Sequence, residues 1–516
     1  MIRVIDLLDH GLSREPTREC LRDPCQSYTH REVELASHRI AHAIRAAGIK
    51  RGARVGFFTP NCAQAMIAMI AVFRAGAVWL PVHPRNTLAE NSEFLAGNNC
   101  ELLFFHSRTA RESDHFMHAV PSLRARVCLD ESLAQGEALL TWAAGYPDHF
   151  RDESLAPDDI AWVKGTGGTT GRSKSVLINN RSAVTLVASF NWCLPLPSGH
   201  VTLVAAPISH GAGTYALCAL CNGGSVVLID KAEPSAVLDA ICAYGITTVF
   251  LPPTVIYGML AHPAIRERKY PSLRYLIYSA APMSPDRLAE AIEVFGPVLT
   301  QIYGQTEALA MLTVLRPEEH LVAGAGGDKR LTSCGRATPF VKLGIMADDG
   351  HLLDTGEVGE IVVRSEMVMQ GYRDDPEETA RVSQFGWHHT GDVGMRDEAG
   401  FFYIVDRKKD MIISGGFNIF PSEIEQVLWK HPAVLDCAVV GAPDAKWGEA
   451  VTAVVELKPG QLVQGSELQQ FCRDALGSLK TPKRVEIWPQ LPRSSVGKVL
   501  RKDVRERFWK GQTRRV

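Results

Sequence analysis

Charge of one sign, unbroken apolar runs, cysteine spacing and low-complexity tracts are all scarce in this sequence, and each scarcity closes off a class of function. Lys plus Arg number 55 against 57 Asp plus Glu, a formal net charge of −2. No overall basic field is available to gather nucleic acid or anionic lipid, so no nucleic-acid partner is expected. The most apolar stretch, residues 65–82, is interrupted by Arg74 and Gly76 and closed by Pro81. That is poor material for crossing hydrocarbon, so no transmembrane segment is expected and the stretch reads as a buried helix followed by a strand. The opening residues MIRVIDLLDHGLSREPTREC lack the basic start, apolar run and small-residue cleavage site of a signal peptide, which predicts a cytoplasmic protein. Twelve cysteines are scattered without framework spacing, and a chain of 516 residues needs no disulfides to compensate for a small core. Cys218 and Cys221 form a C-x-x-C, but in a small, apolar run with no second pair, so a structural role is expected for both. No repeat of 20 to 50 residues and no proline-rich linker is visible.

What is there is ordinary globular material, 46% hydrophobic and 22% charged, in a chain too long for one core. Strand-like runs at residues 54–58, 201–205, 225–229, 247–251 and 273–277 alternate with helix-length segments such as residues 32–47. This alternation predicts an α/β fold with parallel sheets covered by helices. Near residue 400 the texture changes, as Phe401-Phe-Tyr-Ile-Val405 runs into the charged cluster Asp406-Arg-Lys-Lys-Asp410 and then a glycine turn. A boundary there divides the chain into residues 1–405, a large N-terminal domain of helix-covered β-sheets, and residues 406–516, a small mobile α+β domain. Pro421 suits a first helical position, with Ile424, Val427 and Leu428 on one face of the helix it starts.

Five segments carry chemistry. In Thr166-Gly167-Gly168-Thr169-Thr170-Gly171-Arg172-Ser173-Lys174, amides and hydroxyls stand beside a cation, which suits polyphosphate. The run fails the common P-loop pattern and misses G-x-G-x-x-G, and glycine and threonine are also ordinary turn material. Its company decides: Tyr303-Gly304-Gln305-Thr306-Glu307, His389-Thr390-Gly391-Asp392, the stretch from Asp406 through Gly415 and Gly416 to Glu423, and Pro492-Arg-Ser-Ser-Val-Gly-Lys498. In this order and at these separations the segments resemble the adenylate-forming superfamily of acyl-CoA synthetases, carrier-protein adenylation domains and firefly-type luciferases. The resemblance covers about residues 30 to 505.

The resemblance implies a set of roles. Residues 166–174 would be the mobile loop whose amides, hydroxyls and Lys174 hold the β- and γ-phosphates that leave as pyrophosphate. Glu307 is similar to the family's magnesium (Mg2+) carboxylate, with Thr306 as the α-phosphate hydroxyl; both would serve the metal. Tyr303, with Gly304 and Gln305, would lie against the adenine, which Ser279-Ala280-Ala281-Pro282 would line. Asp392 resembles the acid that accepts from both ribose hydroxyls, and Arg407 the cation that joins it. Lys498 is similar to the adenylation lysine bridging the substrate carboxylate and the α-phosphate. The small domain would rotate about Lys409 between half-reactions, bringing Gly415 and Gly416 to the pantetheine arm of coenzyme A. Trp447, Lys480 and Lys483 resemble the surface some relatives use for the coenzyme A nucleotide. The loop departs from the family at Gly167, Ser173 and Ser175, where Ser, Pro and Gly are usual.

Pro207-Ile-Ser-His210 resembles the family's Pro-x-x-His at the acyl pocket, followed by Gly211. Phe190, Trp192, Tyr278 and Met311 would complete a mostly apolar wall, favouring an aromatic or medium-length aliphatic acid over a dicarboxylate. The implied function is an ATP-dependent acyl-CoA synthetase using ATP, Mg2+ and coenzyme A. The alternatives are a stand-alone enzyme loading a carrier protein and a non-catalytic acyl-AMP or nucleotide sensor; a sensor would lose Lys498 or Glu307, and both are present. Light emission, as in luciferase, shares the first half-reaction but needs an unusual substrate. Expected macromolecular partners are a second copy, in a homodimer, and a lysine acyltransferase or deacylase acting on Lys498, because acylation there removes the charge adenylation needs.

Overall fold

The computed structural model describes residues 2–84, 86–152, 154, 156–166, 173–281, 283–321, 327–493 and 499–510. Sheets of thirteen, seven and five strands form the frame. The thirteen-stranded sheet is parallel through Ser225–Leu228, Val201–Val204, Thr248–Leu251, Tyr275–Tyr278 and Leu299–Tyr303. It then turns antiparallel through Thr313–Leu315, Gly335–Ala337, Phe401–Arg407, His388–Arg396, Gly359–Arg364 and Lys342–Met346. Strands predicted from the sequence recur within a residue or two, and Arg54–Phe58 matches to the residue.

The expectation of parallel sheets therefore holds for only part of the large domain. A parallel neighbour requires a crossover of a dozen or more residues. The link between His388–Arg396 and Phe401–Arg407 has room only for a tight turn at Gly400, so those strands must pair antiparallel.

Between the sheets lies a continuous apolar core. The helix Ala63–Arg74 is buried along its whole length, so an apolar sequence without a polar face is what its position demands. Its one charge, Arg74, is 4% exposed and donates to Asp9 at 3.1 Å and to Ser37 Oγ at 3.1 Å. The neighbouring helix His30–Ala46 starts at a capping box: Thr29 Oγ1 accepts from Glu32 N while Glu32 accepts from the Thr29 amide at 2.7 Å. Cys218 and Cys221 are buried thiols on the helix Gly211–Cys221, as their setting predicts.

Phe401–Arg407 still belongs to the thirteen-stranded sheet, and the next strand, Ile412–Ser414, belongs to the five-stranded one. The change of sheet falls at Lys408 to Met411. Beyond it, Pro421 opens the helix Pro421–Leu428, whose Ile424 and Leu428 enter a separate small core. Among the described residues no helix is long and apolar enough to cross a membrane.

Candidate active site

Tyr303 ends the last parallel strand, the place where open α/β sheets leave a crevice for ligands. The chain folds back sharply there, with the Leu312 amide donating to the Tyr303 carbonyl at 2.8 Å and the Gln305 amide to the Ala308 carbonyl at 3.3 Å. Gly304 permits the turn, because a Cβ on it would stand 2.5 Å from the Ala310 carbonyl group. Gly304→Ala is expected to force this backbone apart at a cost of about 1–3 kcal/mol. A thermal melt unchanged from wild type would contradict that.

The Tyr303 hydroxyl donates to Asp392 Oδ2 at 2.7 Å, and Arg407 Nε lies 3.4 Å from Asp392 Oδ1. These three meet because Asp392 and Arg407 sit directly opposite on paired antiparallel strands. Burial, reinforced by Asp392, pushes the Tyr303 phenol well above its usual range, so it remains a donor. Ser279, Ala280 and Ala281 follow the adjacent parallel strand Tyr275–Tyr278. Ala280 has φ of +72°, a conformation that costs a non-glycine residue free energy and is concentrated at functional sites. Pro282 lies outside the described residues.

Thr306 and Glu307 lie in the same turn. Gln305 Nε2 is 3.2 Å from His388 Nε2, and Glu307 Oε1 accepts from the Tyr372 hydroxyl at 2.9 Å. Tyr372 pairs with Val176 across antiparallel strands, which carries it next to Lys174. The Lys174 ammonium stands 5.0 Å over the Tyr372 ring and is paired with Glu378. Lys174 and Glu307 thus approach one tyrosine from two sides. Arg381, then Lys174, hold Glu378 down at about 2. Thr166 closes the base of the loop, its amide donating to the Lys174 carbonyl at 3.0 Å and its hydroxyl accepting from the Lys174 amide at 3.3 Å. Gly167, Gly168, Thr169, Thr170 and Gly171 lie outside the described residues, as does Lys498.

On the acyl side, His210 caps the helix Gly211–Cys221, its ring edge-on to His83 at 4.5 Å. Desolvation, then His83 and Lys164, push its imidazole down to about 3, so it is neutral at physiological pH. Phe190 packs on Tyr215 at 5.8 Å, a Cβ on Gly211 would reach Phe250 at 3.3 Å, and Met311 is buried in the same core. Two expected wall residues are corrected. Trp192 is 66% exposed: two residues along a helix turn it about 200° from Phe190, onto the opposite face. Tyr278 points away from the Phe190 core. In the strand Tyr275–Tyr278 its neighbour Ile277 faces that core, while Tyr278 enters a second one and bonds His320 Nε2 at 3.0 Å.

In the small domain, Gly415 has φ of +59° and Gly416 of +83°. A Cβ on Gly415 would stand 2.6 Å from the Trp447 ring, and the Gly415 amide donates to the Trp447 carbonyl at 2.8 Å. These two are brought together. Lys480 is instead paired with Glu423 at 2.7 Å, and the Lys483 ammonium donates to the Ser478 carbonyl at 3.1 Å. Lys409 lies in the single turn Lys408–Asp410 at the change of sheet. Sequence reasoning missed Tyr372, which no motif marks, and Lys164, whose charge inside an apolar strand was a usable signal.

The Tyr303–Asp392–Arg407 cluster thus lies at the end of the parallel strands, and a small second domain follows it, the arrangement expected of an adenylate-forming enzyme. The AMP-binding enzyme model matches residues 8–373 and the AMP-binding enzyme C-terminal domain model residues 423–498. The chain belongs to the AMP-binding enzyme family, in its acid–thiol ligase branch. It is 36% identical to a medium/long-chain-fatty-acid–CoA ligase of Mycobacterium tuberculosis, over 92% of this chain and 84% of the relative. It is 34% identical to a feruloyl-CoA synthase of Amycolatopsis, over 96% of each. The amide bond synthetase McbA from Marinactinospora thermotolerans superposes with a TM-score of 0.89 at 32% identity, over 98% of this chain and 100% of that one.

Proposed function

We propose that this enzyme activates a carboxylic acid with ATP and then acylates coenzyme A. In the first step a substrate carboxylate oxygen attacks the α-phosphorus, forming acyl-AMP and releasing pyrophosphate. In the second the coenzyme A thiol attacks the acyl carbon, AMP leaves, and the thiol proton passes to solvent. The observation carrying this reading is the Tyr303–Asp392–Arg407 cluster beside Glu307, Tyr372 and Lys174. Asp392 would accept the ribose hydroxyls, with Tyr303 and Arg407 fixing its carboxylate. Lys174 would hold the departing phosphates.

Among the described residues no cluster of three or more His, Cys, Asp or Glu is gathered for a metal. The donor set fits magnesium nonetheless, since that ion is usually held by one or two carboxylates together with substrate phosphates. Glu307, oriented by Tyr372, would be that carboxylate, with Thr306 beside it; the bound ion would offset phosphate charge. The small domain, hinged at Lys409, would present Lys498 for the first step and Gly415 for the second, with Trp447 as the coenzyme A surface. Cytoplasmic operation is part of this reading.

Phe190, Tyr215, Phe250 and Met311 make the surroundings of His210 mostly apolar, which supports an aromatic or medium-length aliphatic acid. The relatives' named acids, a medium- or long-chain fatty acid and ferulate, agree with that class. A second reading, transfer to an amine, is favoured by the likeness to an amide bond synthetase. Magnesium-dependent pyrophosphate release across a panel of acids, followed by product analysis with coenzyme A, a holo-carrier protein or an amine, tests both. Thioester formed only with coenzyme A is expected; amide as the sole product would favour the rival.

Asp392→Asn should raise the KM for ATP by roughly tenfold to a hundredfold, with less effect on kcat, because hydrogen bonds to a charged acceptor contribute about 1.5–3 kcal/mol. An unchanged KM for ATP would remove Asp392 from the nucleotide site.

A further inference from the structure

Lys164 is the inward-facing cation of an otherwise apolar strand, Ile160–Gly165. Its ammonium donates to Thr214 Oγ1 at 2.7 Å and stands 5.7 Å from the ring centres of both Trp79 and Trp162. Thr214 is 3% exposed and lies one turn beyond His210 on the same helix, so the two share a face. His210 in turn lies edge-on to His83 and feels the Lys164 charge. Lys164, His210 and His83 therefore converge at one helix start, and the charge at Lys164 is met by the Thr214 hydroxyl and the two indole rings.

Such a lysine is costly to leave without a counter-group. Desolvation lowers it to about 8, which still leaves it charged at neutral pH. Thr214 is a neutral acceptor for one of its three N–H bonds, and the indole faces offer cation–π attraction of about 0.5–2 kcal/mol. A ligand oxygen would be held strongly in so poorly solvated a place.

We infer that Lys164, anchored by Thr214 beside His210, forms a polar end to the acyl site and selects acids bearing a distal acceptor oxygen, a carbonyl or a second carboxylate. This rests on the proposed acyl-activating function and deepens it. The body of the acid would lie against Phe190, Tyr215 and Phe250, while its far oxygen meets the ammonium. Lys164 is thereby a specificity residue.

The test compares three matched series of six to twelve carbons: straight-chain acids, their terminal methyl ketones and the corresponding dicarboxylates. Pyrophosphate release gives kcat/KM for each with wild type, Lys164→Met, Lys164→Arg and Thr214→Val. Wild type should favour at least one oxygen-bearing series over the parent acid by about tenfold or more, the scale on which an unpaired site group discriminates. Preference for the ketone identifies a neutral acceptor, and preference for the dicarboxylate an anion. Lys164→Met should bring that ratio close to one, chiefly through KM, Lys164→Arg should retain part of it, and Thr214→Val should weaken it. No preference in wild type, or the same ratio in a folded Lys164→Met, overturns the inference while the acyl-activating function stands. If Lys164→Met does not fold, an unaltered ratio in Thr214→Val and Lys164→Arg overturns it equally. Absence of pyrophosphate release from every acid would remove the proposed function and this inference with it.

Discussion

Lys498→Ala is expected to lower acid-dependent pyrophosphate release by about 10²–10³-fold while leaving ATP binding and the reaction of supplied acyl-AMP with coenzyme A largely intact. Two anions, the substrate carboxylate and the α-phosphate, must approach to bonding distance, and a fixed cation between them stabilises the charge that accumulates in the transition state. Removing one such group from a preorganised site costs about 2.7–4 kcal/mol. The C-terminal domain model matches residues 423–498, so the proposed lysine is the last matched residue. A lysine occupying that position would block the thiol, so under the proposed function the second half-reaction would proceed with the small domain turned away. Lys498→Arg should recover little, because a planar guanidinium does not reproduce the compact ammonium charge. Full pyrophosphate release in Lys498→Ala would sink the assignment, and equal loss of both half-reactions would place the residue in both.

How much of this was legible in the sequence varies by kind of information. Local pattern located the elements: alternation set the strand Arg54–Phe58, and a fully apolar stretch marked the buried helix Ala63–Arg74. Pattern did not fix strand direction, which follows from loop length and was misjudged for the antiparallel half of the large sheet. The residues proposed to hold the nucleotide were legible as motifs, but their mutual support was not. That Tyr303 bonds Asp392, or that Tyr372 bonds Glu307, depends on strands that pair across long stretches of chain. Trp192 and Tyr278 failed for a simpler reason, since each was grouped by chemistry without applying its element's period. A helix turns about 100° per residue and a strand alternates, and both rules send these rings away from Phe190. The charge at Lys164 was visible within Ile160–Gly165, yet only the fold brings Thr214, Trp79 and Trp162 around it.

Arg501→Ala should destabilise the small domain by about 3–5 kcal/mol at neutral pH, the cost of removing one partner from a buried ion pair. Arg501 opens the helix Arg501–Phe508 and donates to Glu425 Oε1 at 2.8 Å and to Asp406 Oδ1 at 2.7 Å, with Asp410 at 3.6 Å. Glu425 is 3% exposed and also accepts from the Val439 amide at 2.9 Å; Asp406 is 5% exposed and accepts from the Ser422 amide at 2.7 Å. Burial alone would lower the Arg501 pKa, but Glu425, then Asp406 and Asp410, raise it. One guanidinium thus ties the residue preceding Arg407 to the helix Pro421–Leu428. Without it two buried carboxylates lack their cation, and Glu425, whose carboxyl burial already raises, loses the Arg501 charge that opposes that rise. A group raised in this way favours the folded state below its unfolded pKa and loses that contribution as pH rises. The deficit of Arg501→Ala should therefore be greatest at neutral pH and shrink as pH falls through the carboxylate range. Denaturant unfolding followed through Trp429, Trp488 and Trp509, at pH 7 and at pH 5, reads both quantities. A loss below about 1 kcal/mol, the range of surface pairs, would show that Arg501 is solvated and does not secure the start of the small domain.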